Sequence, residues 1–471
     1  MKILLAASEV SPIIQMGGLG DVVGSLPKAL EKLGVNVDVI VPYFPFANTK
    51  DIQLYKSLEI DVPFAGETNV VSVYNTFLPG SHVNVSLLQN NAHFHNYGKT
   101  WKLSNEDEVE LFSFFDRAVV EYIKSKFNTY DLIHCNDWHT GLITHLLEDE
   151  LSESRPATLF TIHNLMYQGI GDLNVVRDVG IVPGEHMLID WDSTDDHLNM
   201  IEQGLASADF ISTVSPTYME EILTPEFGGD LSDILKVRSW RTAGILNGLD
   251  YTAFPRNYDE NNFKPAKNKL KKELLAKLGL TFDINKPLFA FIGRLDPYQK
   301  GIDLVYEAIP YIVKNGGQFV LLGTGDTTWE SKFTALAKES DYSHDISANI
   351  TFDKLFSEQI YAAADFLLVP SRYEPCGLIQ MIAMWYGTLP IVRATGGLKD
   401  SVKEGINGFL FDMYTAQDLI NAVTKAFNSF NGHTTDPLIK AAMTADFSWD
   451  KSAISYNELY KKVIQFRKDS I

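Results

Sequence analysis

Short apolar runs alternate with amphipathic segments in the first part of the chain. Residues 2–7 form an apolar run that predicts a strand, residues 21–33 have the spacing of an amphipathic helix, and residues 35–41 predict a second strand. Strand, helix and strand in this order are typical of a parallel βαβ unit, because two parallel strands need a crossover connection. The pattern therefore predicts an α/β fold.

The alternation continues to residue 214 and starts again after a polar seam. The seam, residues 247–267, contains Pro255 and Pro265 and predicts a linker. Two such halves predict two doubly wound, Rossmann-like domains that face each other across a cleft. We place them at 1–246 and 247–455, with a C-terminal helix at 456–471 that packs back on the first domain. Further strands are predicted at 132–135, 158–162, 210–214, 288–292, 319–322, 366–369 and 389–392, with helices at 107–125, 141–150 and 301–314.

The composition limits the kinds of partner. The 471 residues include 40 Lys and Arg against 60 Asp and Glu, which gives a net charge of −20. A chain this acidic is a poor non-specific ligand for nucleic acid or an anionic membrane, so an anionic substrate must be held by local cations. Residues 264–277 contain six lysines, and we interpret them as a solvated helix face rather than a binding patch.

The cysteines and the first residues bear on the compartment. Cys135 and Cys376 are far apart and in no C-x-x-C pattern, which argues against a disulfide scaffold and a cysteine zinc site. The apolar run before Ser8 is shorter than a signal peptide needs, and no apolar stretch approaches the ~18 residues of a membrane span. We expect a cytoplasmic protein.

A glycine-rich turn at 17–21 follows the first predicted strand. Gly17 and Gly18 let the backbone approach a ligand closely, and the start of the next helix offers free N–H groups to an anion. The turn is not G-x-G-x-x-G, and no acidic residue ends the second strand, so nicotinamide binding is disfavoured. The alternative is a tight turn that only packs the helix on the sheet.

A loop with two cations follows the first strand of the second half. Arg294 is a forked donor suited to phosphate, and Lys300 is a point charge six residues later. Ligands of open α/β sheets bind at the carboxyl ends of the strands, so this pair predicts a diphosphate site. The alternative is that the two cations pair with Asp296 and Asp303.

Two more loops of the second half carry candidate chemistry. The segment RYEPCGL at 372–378 places the carboxylate of Glu374 beside a glycine-containing helix start. Residues 395–397, Thr-Gly-Gly, form another glycine turn that can face phosphate. Cys376 has no base in its motif, so we expect it to pack or to lend its backbone N–H rather than to act as a nucleophile.

Two loops of the first half predict sugar recognition. Asp137, Trp138 and His139 follow one strand, and His163 and Asn164 follow the next. Side chains that hydrogen-bond hydroxyl groups, next to an aromatic ring with a flat face, suit a sugar. The two histidines have no third partner at metal-ligand spacing, so we do not expect zinc.

These motifs together resemble those of bacterial glycogen synthases and plant starch synthases, which are retaining glycosyltransferases of the GT-B fold. The resemblance runs from Met1 to about Lys462. Because the sequence has no room for a transit peptide or a starch-binding extension, we expect the bacterial branch. The resemblance is carried by NDWH at 136–139, HNLMYQG at 163–169, ILNGLD at 245–250, GRLDPYQKG at 293–301, SRYEPCGL at 371–378 and GTLPIVRATGGL at 387–398.

The resemblance implies a role for each candidate residue. The first domain would hold the glucan acceptor and the second the nucleotide sugar. The residues implied in catalysis are Arg294 and Lys300 on the diphosphate, Glu374 on the donor glucose, and Asp137 and His163. Those implied on the acceptor side are Trp138, His139 and Asn164. Those implied in donor binding are Gln15, Gly17, Gly18, Asp21, Asn247, Phe352, Cys376, Gly377, Leu378, Thr395, Gly396 and Gly397, with Phe352 on the adenine, where the family often has Tyr.

The chain departs from the family pattern at two positions. The signature K-x-G-G-L has Gln15 in place of the lysine, which removes a cation expected near the nucleotide sugar and bears on nucleotide preference or turnover. The usual Thr after C-G-L is Ile379. Related retaining GT-B enzymes carry a second Glu eight residues after the first, and Ile382 stands there, as we expect for the glycogen synthase branch.

The resemblance implies transfer of glucose from ADP-glucose to the non-reducing 4-OH of an α-1,4-glucan, with retention of configuration and without a metal cofactor. Because no free carboxylate is obviously placed as a nucleophile, we favour attack from the face that the diphosphate leaves over a covalent adduct on Glu374. Another donor, such as UDP-glucose, or another acceptor stays open. So does a non-catalytic glucan-binding protein on the same fold, which the loss of the lysine at position 15 motivates.

Overall fold

The computed structural model describes residues 1–50, 52–95, 97, 104–182, 197–339 and 343–470. The chain divides into two compact units. The first unit comprises Met1–Val214, Met219–Gly248 and Trp449–Ile471, and the second comprises Ser215–Tyr218 and Leu249–Ser448. The boundaries between the units lie after residues 248 and 448, whereas the sequence predicted domain boundaries after residues 246 and 455.

The first unit is built on a mostly parallel sheet. Over the described residues this sheet has nine strands in the order β11-β10-β7-β6-β1-β2-β5-β4-β3, and β8 pairs with β9 in a separate ribbon. Within the nine described strands of this sheet only β4 runs against the others, because it pairs antiparallel with both β3 and β5. Numbered along the chain, the strands are β1 (Lys2–Ala6), β2 (Asn36–Pro42), β3 (Tyr55–Phe64), β4 (Glu67–Phe77), β5 (Asn84–Gln89), β6 (Leu132–Asn136), β7 (Ala157–Ile162), β8 (Ile170–Asp172), β9 (His197–Asn199), β10 (Phe210–Thr213) and β11 (Thr242–Gly244).

Helices cover the parallel part of this sheet, and every residue of β6 and β7 is buried, as expected for strands covered on both faces. The helices of the first unit are Gly18–Lys32, Asn91–Phe94, Asn105–Ser125, Ile143–Leu151, Val175–Asp178, Met200–Ser207, Pro225–Gly228, Ser232–Val237 and Trp449–Asp469. The helix Pro216–Glu221 belongs partly to each unit, because the boundary between them falls after Tyr218. Short 3₁₀ turns lie at Trp138–Thr140, Ser152–Ser154, Gly229–Leu231 and Ser239–Arg241.

The last helix, Trp449–Asp469, packs on the first unit along much of its length. Tyr460 shares a 2.8 Å hydrogen bond with Nδ1 of His134 on β6, and Ser452 donates to the carbonyl of Leu246 at 2.6 Å. Gly248 lies so close to the start of the helix that an ideal Cβ would stand 2.5 Å from the backbone of Trp449. The helix begins at Trp449, seven residues before the predicted start at 456.

The second unit is a parallel sheet with its switch point between β12 and β15. In the described part of the chain its order is β14-β13-β12-β15-β16-β17. Ligands of doubly wound sheets bind where the strand order reverses, and here that edge carries the loops after β12 and β15. The strands are β12 (Leu288–Ile292), β13 (Gln318–Leu322), β14 (Ile346–Asn349), β15 (Phe366–Val369), β16 (Leu389–Arg393) and β17 (Phe409–Phe411). The helices are Phe263–Leu278, Ile302–Lys314, Thr327–Lys338, Lys354–Ala363, Ile379–Trp385, Gly396–Ser401, Ala416–Asn431 and Thr435–Thr444, with a 3₁₀ turn at Tyr251–Ala253.

The lysine-rich helix Phe263–Leu278 corrects one prediction. Lys267 and Lys271 are buried, so the interpretation of this stretch as a solvated face is wrong for these two residues. Lys271 pairs with Asp365 at 2.7 Å, and the ammonium of Lys267 donates to three neutral oxygens: the carbonyls of Ala362 and Tyr386 and the hydroxyl of Thr388. The reason is tertiary packing, because the helix lies against the helix Lys354–Ala363.

None of the helices within the described residues is both long enough and apolar enough to cross a membrane.

Candidate functional site

The loops after β12 and β15 join the two charges that the sequence singled out in the second unit. Lys300 donates from Nζ to Oε2 of Glu374 across 2.7 Å, and the hydroxyl of Ser371 donates to the same oxygen at 3.0 Å. Glu374 is only 7% exposed. The group predicted on the diphosphate and the group predicted on the donor glucose therefore form one ion pair.

Close backbone contact holds these two loops together. Gly301 has a φ of +66°, and an ideal Cβ there would lie 2.1 Å from the carbonyl oxygen of Pro370, so both the conformation and the space require glycine. The N–H of Arg372 donates to the carbonyl of Gln299 at 2.8 Å. The position of Lys300 is thus fixed from both loops.

Arg294 keeps most of its guanidinium in solvent. Its side chain is 60% exposed, Nη2 donates to Oε1 of Gln299 at 3.0 Å, and Asp296 lies 3.8 Å away. The alternative prediction, that the two cations pair with Asp296 and Asp303, is met for Arg294 only by this long contact with Asp296. It is wrong for Lys300, because Lys300 pairs with Glu374 and Asp303 accepts a hydrogen bond from the hydroxyl of Tyr414.

The glycine turn at 395–397 packs on the backbone that follows Glu374. The N–H of Gly397 donates to the carbonyls of Glu374 and Pro375 at 3.1 and 3.2 Å. Ideal Cβ atoms at Gly396 and Gly397 would lie 2.0 Å from the oxygen of Glu374 and 2.1 Å from that of Cys376. We expected this turn to face phosphate, but for the Gly397 N–H this is wrong, since the donor is already used to hold the 374–376 segment.

The remaining predicted donor residues of the second unit lie at the same sheet edge. Cys376 is buried, Gly377 has a φ of +72°, and Leu378 precedes the helix Ile379–Trp385. Phe352 follows β14 and is 89% exposed, so its ring is open to a planar ligand. The carboxyl ends of β12, β14, β15 and β16 therefore carry all the predicted residues of this unit.

In the first unit, the loops after β6 and β7 meet at His163. Oδ1 of Asp137 accepts the N–H groups of His163 and Asn164 at 2.8 and 3.5 Å. Oδ1 of Asn136 lies 2.9 Å from Nε2 of the same histidine. Asp137 also has a φ of +59°, which is unusual for a residue with a side chain and marks a tightly specified turn. Two consecutive residues therefore hold both the backbone and the ring of His163.

Trp138 serves as a brace rather than an open sugar platform. It is 7% exposed, its ring stacks on His139 with 4.1 Å between centroids, and Phe112 meets both rings edge-on. An ideal Cβ at Gly169 would lie 2.3 Å from the indole, so Gly169 also packs closely on this ring. The prediction that Trp138 offers a flat face to a sugar is wrong, because the side chain is buried among His139, Phe112 and Gly169.

Burial controls the charge of these side chains. It lowers the pKa of His163 and of His139 to about 3, with His163 adding to the effect at His139, so both rings are neutral near pH 7. Burial raises the pKa of Asp137 to about 7, opposed by its two backbone hydrogen bonds and reinforced by Glu9. The loops thus present neutral imidazoles beside a carboxyl group that titrates near neutrality.

Glu9, in the loop after β1, was not predicted as a site residue. Its buried carboxylate accepts the N–H groups of Met16 and Gly17, the second at 2.9 Å. An ideal Cβ at Gly20 would lie 3.1 Å from Oε2 of Glu9. The Gly17 N–H that we expected to be open to an anion is therefore occupied. The available signal was an acidic residue three positions after the end of β1.

The rest of the glycine turn leaves Gly18 exposed and ties Gln15 to Asp21. Nε2 of Gln15 donates to Oδ1 of Asp21 at 2.9 Å, and Ser11 donates to Oε1 of Gln15 at 3.2 Å. Around an ideal Cβ at Gly18 there is no heavy atom of the described chain within 4 Å. Asn247, beyond β11, is buried, and no described group hydrogen-bonds its Oδ1, which leaves an acceptor for a ligand donor.

The structure thus gathers the predicted residues into two groups, one on each unit. In the first unit they follow β1, β6, β7 and β11, and in the second they follow β12, β14, β15 and β16. The described residues contain no group of three or more His, Cys, Asp or Glu side chains arranged to hold a metal ion.

Comparison with known proteins gives the same similarity for the whole chain. Residues 2–237 match the family model of the starch synthase catalytic domain, and residues 278–436 match the model of glycosyl transferases group 1. The chain is 38% identical to the glycogen synthase of Thermodesulfovibrio yellowstonii, with 99% of each chain covered. It is 39% identical to that of Fervidobacterium nodosum, with 98% of this chain and 99% of the relative covered.

A solved structure agrees in backbone as well. The catalytic domain of starch synthase IV from Arabidopsis thaliana, bound to ADP and acarbose, superposes with a TM-score of 0.86 at 29% identity and covers 98% of this chain and 99% of its own. The sucrose-phosphate synthase of Thermosynechococcus elongatus superposes with a TM-score of 0.61 at 22% identity, which shows a shared fold.

Proposed function

Because the chain belongs to the glycogen and starch synthase family of GT-B glycosyltransferases, we propose that it transfers glucose from ADP-glucose to the non-reducing 4-OH of an α-1,4-glucan with retention of configuration. The observation that carries the proposal is the Lys300–Glu374 pair at the switch point of the second unit, with the exposed guanidinium of Arg294 on the same loop. The ADP bound to the similar starch synthase IV supports an adenine nucleotide.

The second unit would stabilise the leaving group. When the bond between C1 of glucose and the β-phosphate oxygen breaks, negative charge grows on ADP, and preorganised cations lower the energy of that state. Lys300 and Arg294 are such cations. Lys300 has three N–H donors, so it can keep its bond to Glu374 while it donates to phosphate. The buried carboxylate of Glu374 would in turn face the positive charge that develops on the sugar ring.

Retention would follow from attack on the face that the diphosphate leaves. The acceptor 4-OH forms the new bond to C1, its proton passes to the departing β-phosphate oxygen, and the products are ADP and a glucan longer by one glucose. Glu374 is a poor candidate for a covalent adduct, because Oε2 is already held by Lys300 and Ser371. A carboxylate stabilised as an anion by two donors is a weaker nucleophile.

In the first unit, the polar residues at the ends of β6 and β7 would bind sugar hydroxyl groups. His139, His163 and Asn164 offer neutral hydrogen-bonding groups, and Asp137 keeps two of them in place. We also propose a cytoplasmic location, which suits Cys135 and Cys376, since neither cysteine forms a disulfide.

The reaction is proposed to need no metal, since Arg294 and Lys300 supply positive charge for the diphosphate. Transfer should proceed at its full rate in excess EDTA. Loss of activity in EDTA that returns with Mg²⁺ would contradict this part of the proposal.

One assay tests the function against its alternatives. The chain is incubated with glycogen and either radiolabelled ADP-glucose or UDP-glucose, and the label in the polymer is counted. We expect label from ADP-glucose in excess over UDP-glucose. Preferential label from UDP-glucose would show another donor. Binding of glycogen without incorporation from either donor would show a non-catalytic glucan-binding protein.

A further inference from the structure

The side-chain amide of Asn136 has only one orientation that satisfies its neighbours. Its Nδ2 lies 3.1 Å from the carbonyl oxygen of Ala6 and 3.2 Å from that of His134. Both oxygens are acceptors only, so the amide nitrogen must face them. Asn136 is buried at the end of β6, so no solvent competes for these bonds.

This orientation determines which nitrogen of His163 carries the proton. With Nδ2 committed to the two carbonyls, Oδ1 of Asn136 faces Nε2 of His163 at 2.9 Å. An amide oxygen is an acceptor only, so Nε2 must be the donor. In a neutral imidazole, the other nitrogen then has no proton. Nδ1 of His163 is left as an acceptor, since the hydrogen bonds that the described chain makes with His163 use its backbone N–H and Nε2.

We propose that Asn136 is a positioning residue, which fixes the neutral tautomer of His163 with the proton on Nε2 so that Nδ1 accepts a hydrogen bond from a hydroxyl group of the bound sugar. The proposal rests on the proposed function for the identity of the ligand. It assigns a direction to the contact: the sugar donates and His163 accepts. A sugar with a hydroxyl group at that place would be bound, and a deoxy or O-methyl analogue would be rejected.

Two further hydrogen bonds and burial keep the ring in the same place and state. Asp137 binds the backbone N–H of His163 at 2.8 Å, and its own N–H donates to the carbonyl of Thr161 on β7 at 2.9 Å. The same burial that lowers the pKa of His163 to about 3 keeps the ring from becoming a double donor near pH 7. Asp137 thus holds the backbone of His163, and Asn136 fixes the rotation and the tautomer of its ring.

The tautomer can be read directly, without turnover, in the chain labelled with ¹⁵N-histidine. The two ring nitrogens of a neutral histidine give well separated shifts for the protonated and the unprotonated atom, and the signals of His163 are those missing from His163→Gln. We expect a protonated Nε2 and an unprotonated Nδ1 in the unaltered chain, and loss of this fixed pattern in Asn136→Ala. A protonated Nδ1, or averaged shifts in the unaltered chain, would overturn the proposal.

A double-mutant cycle on kcat/KM tests whether Asn136 acts through His163. Asn136→Ala should lower kcat/KM by about tenfold or more, the scale of losing a group that orients a functional histidine. In the His163→Ala background the same change should have almost no further effect. Equal losses in both backgrounds would show a general structural role and refute the proposal. Asn84→Ala, which alters a different asparagine of the same unit, is the control and should leave kcat/KM unchanged.

A second variant and a readout that is independent of activity keep the test decisive. If Asn136→Ala does not fold, Asn136→Asp takes its place in the cycle, because it keeps the volume but cannot donate to both carbonyls. If the unaltered chain transfers no glucose at all, the proposed function fails while the histidine spectrum still decides the tautomer. The two failures are therefore distinguishable.

Discussion

The ammonium of Lys300 and the carboxylate of Glu374 lie 2.7 Å apart, although 74 residues separate them in the chain. The pair places a positive group proposed for the diphosphate in contact with a negative group proposed for the sugar. The C1–O bond that breaks joins the sugar to the diphosphate. Its breaking leaves negative charge on the diphosphate, which Lys300 would stabilise, and positive charge on the sugar ring, which Glu374 would stabilise. It also lets the cation be held in position before the substrate arrives, which is the basis of electrostatic preorganisation.

Loss of either cation should slow transfer. We predict that Lys300→Ala and Arg294→Ala each lower kcat by at least ~100-fold, because one charge-stabilising donor to the departing ADP is lost. Steady-state kinetics with ADP-glucose and glycogen measure the effect. Lys314→Ala, at an exposed position in the last turn of the helix Ile302–Lys314, is the control and should retain full activity.

The same variants should differ in stability. Lys300→Ala leaves the buried carboxylate of Glu374 without its cation and should cost about 1–3 kcal/mol of unfolding free energy, whereas Arg294 is largely in solvent and should cost little. Urea unfolding measures both. Equal stability of the two variants, or near-normal kcat in properly folded protein, would contradict this assignment of the two cations.

Glu374→Gln should separate catalysis from nucleotide binding. The amide keeps an acceptor for Lys300 but has no charge to stabilise the sugar transition state, so kcat should fall by ~100-fold. Affinity for ADP alone, measured by calorimetry, should stay nearly unchanged because the carboxylate faces the sugar. A parallel fall of ADP affinity and kcat would contradict this division of roles.

Phe352→Ala should weaken donor binding alone. The ring is 89% exposed, so its removal should not change the melting temperature. Loss of a stacked base is worth ~1–3 kcal/mol, which corresponds to a donor KM raised by roughly 5- to 150-fold at unchanged kcat. Phe352→Tyr should behave like the unaltered chain, and Phe282→Ala, at another exposed phenylalanine, is the control. An unchanged KM in Phe352→Ala would exclude the stacking role.

Lys267 should make the stability depend on pH. Burial lowers its pKa from 10.5 to about 7, while nearby Asp365 favours and Lys271 opposes the charge. Between these two values the unfolded chain holds a proton that the folded chain has released, so raising the pH favours folding, by on the order of 5 kcal/mol over the whole range. Urea unfolding across this range should show that the free energy of unfolding rises with pH. Lys267→Met should remove this rise, whereas Lys269→Met, at an exposed lysine of the same helix, should retain it. An unchanged slope in Lys267→Met would contradict this.

The parallel core of both units was predictable because buried parallel strands are short continuous apolar runs. The strands β1, β6, β12 and β15 were found in this way, and the GT-B fold that the motifs implied is confirmed. The strands β3 to β5 were missed. In β3 only alternate positions are buried, and its exposed positions carry charges, so no apolar run marks it.

The candidate site was predictable in its residues but not in their contacts. Loops at strand ends could be located, since parallel strands bring their carboxyl ends to one edge. No sequence signal shows that Glu374 and Lys300 pair, that the ring of Trp138 is covered, or that Glu9 occupies the glycine turn. These depend on how separate loops pack, which residue spacing does not record.

Gln15 is where the chain departs from the family lysine, and the structure shows what a lysine would meet there. The amide of Gln15 donates to Asp21 at 2.9 Å, and Asp21 begins the exposed side of the helix Gly18–Lys32. A lysine would replace this neutral hydrogen bond with an ion pair. Because surface ion pairs are worth only ~0–1 kcal/mol, the new charge would not be strongly held by Asp21 and would stay available to a donor phosphate.

We therefore predict that Gln15→Lys lowers the KM for ADP-glucose or raises kcat. A charge-assisted hydrogen bond to phosphate is worth ~1.5–3 kcal/mol, and half of that energy corresponds to roughly a tenfold gain in kcat/KM. Gln15→Met, similar in length but without charge or hydrogen bonds, is the matched control and should not improve kcat/KM. If Asp21 does retain the lysine, the gain should emerge in Gln15→Lys combined with Asp21→Asn. A kcat/KM that is unchanged or poorer in both backgrounds would show that the chain has compensated for the missing cation elsewhere, or that its donor is not ADP-glucose.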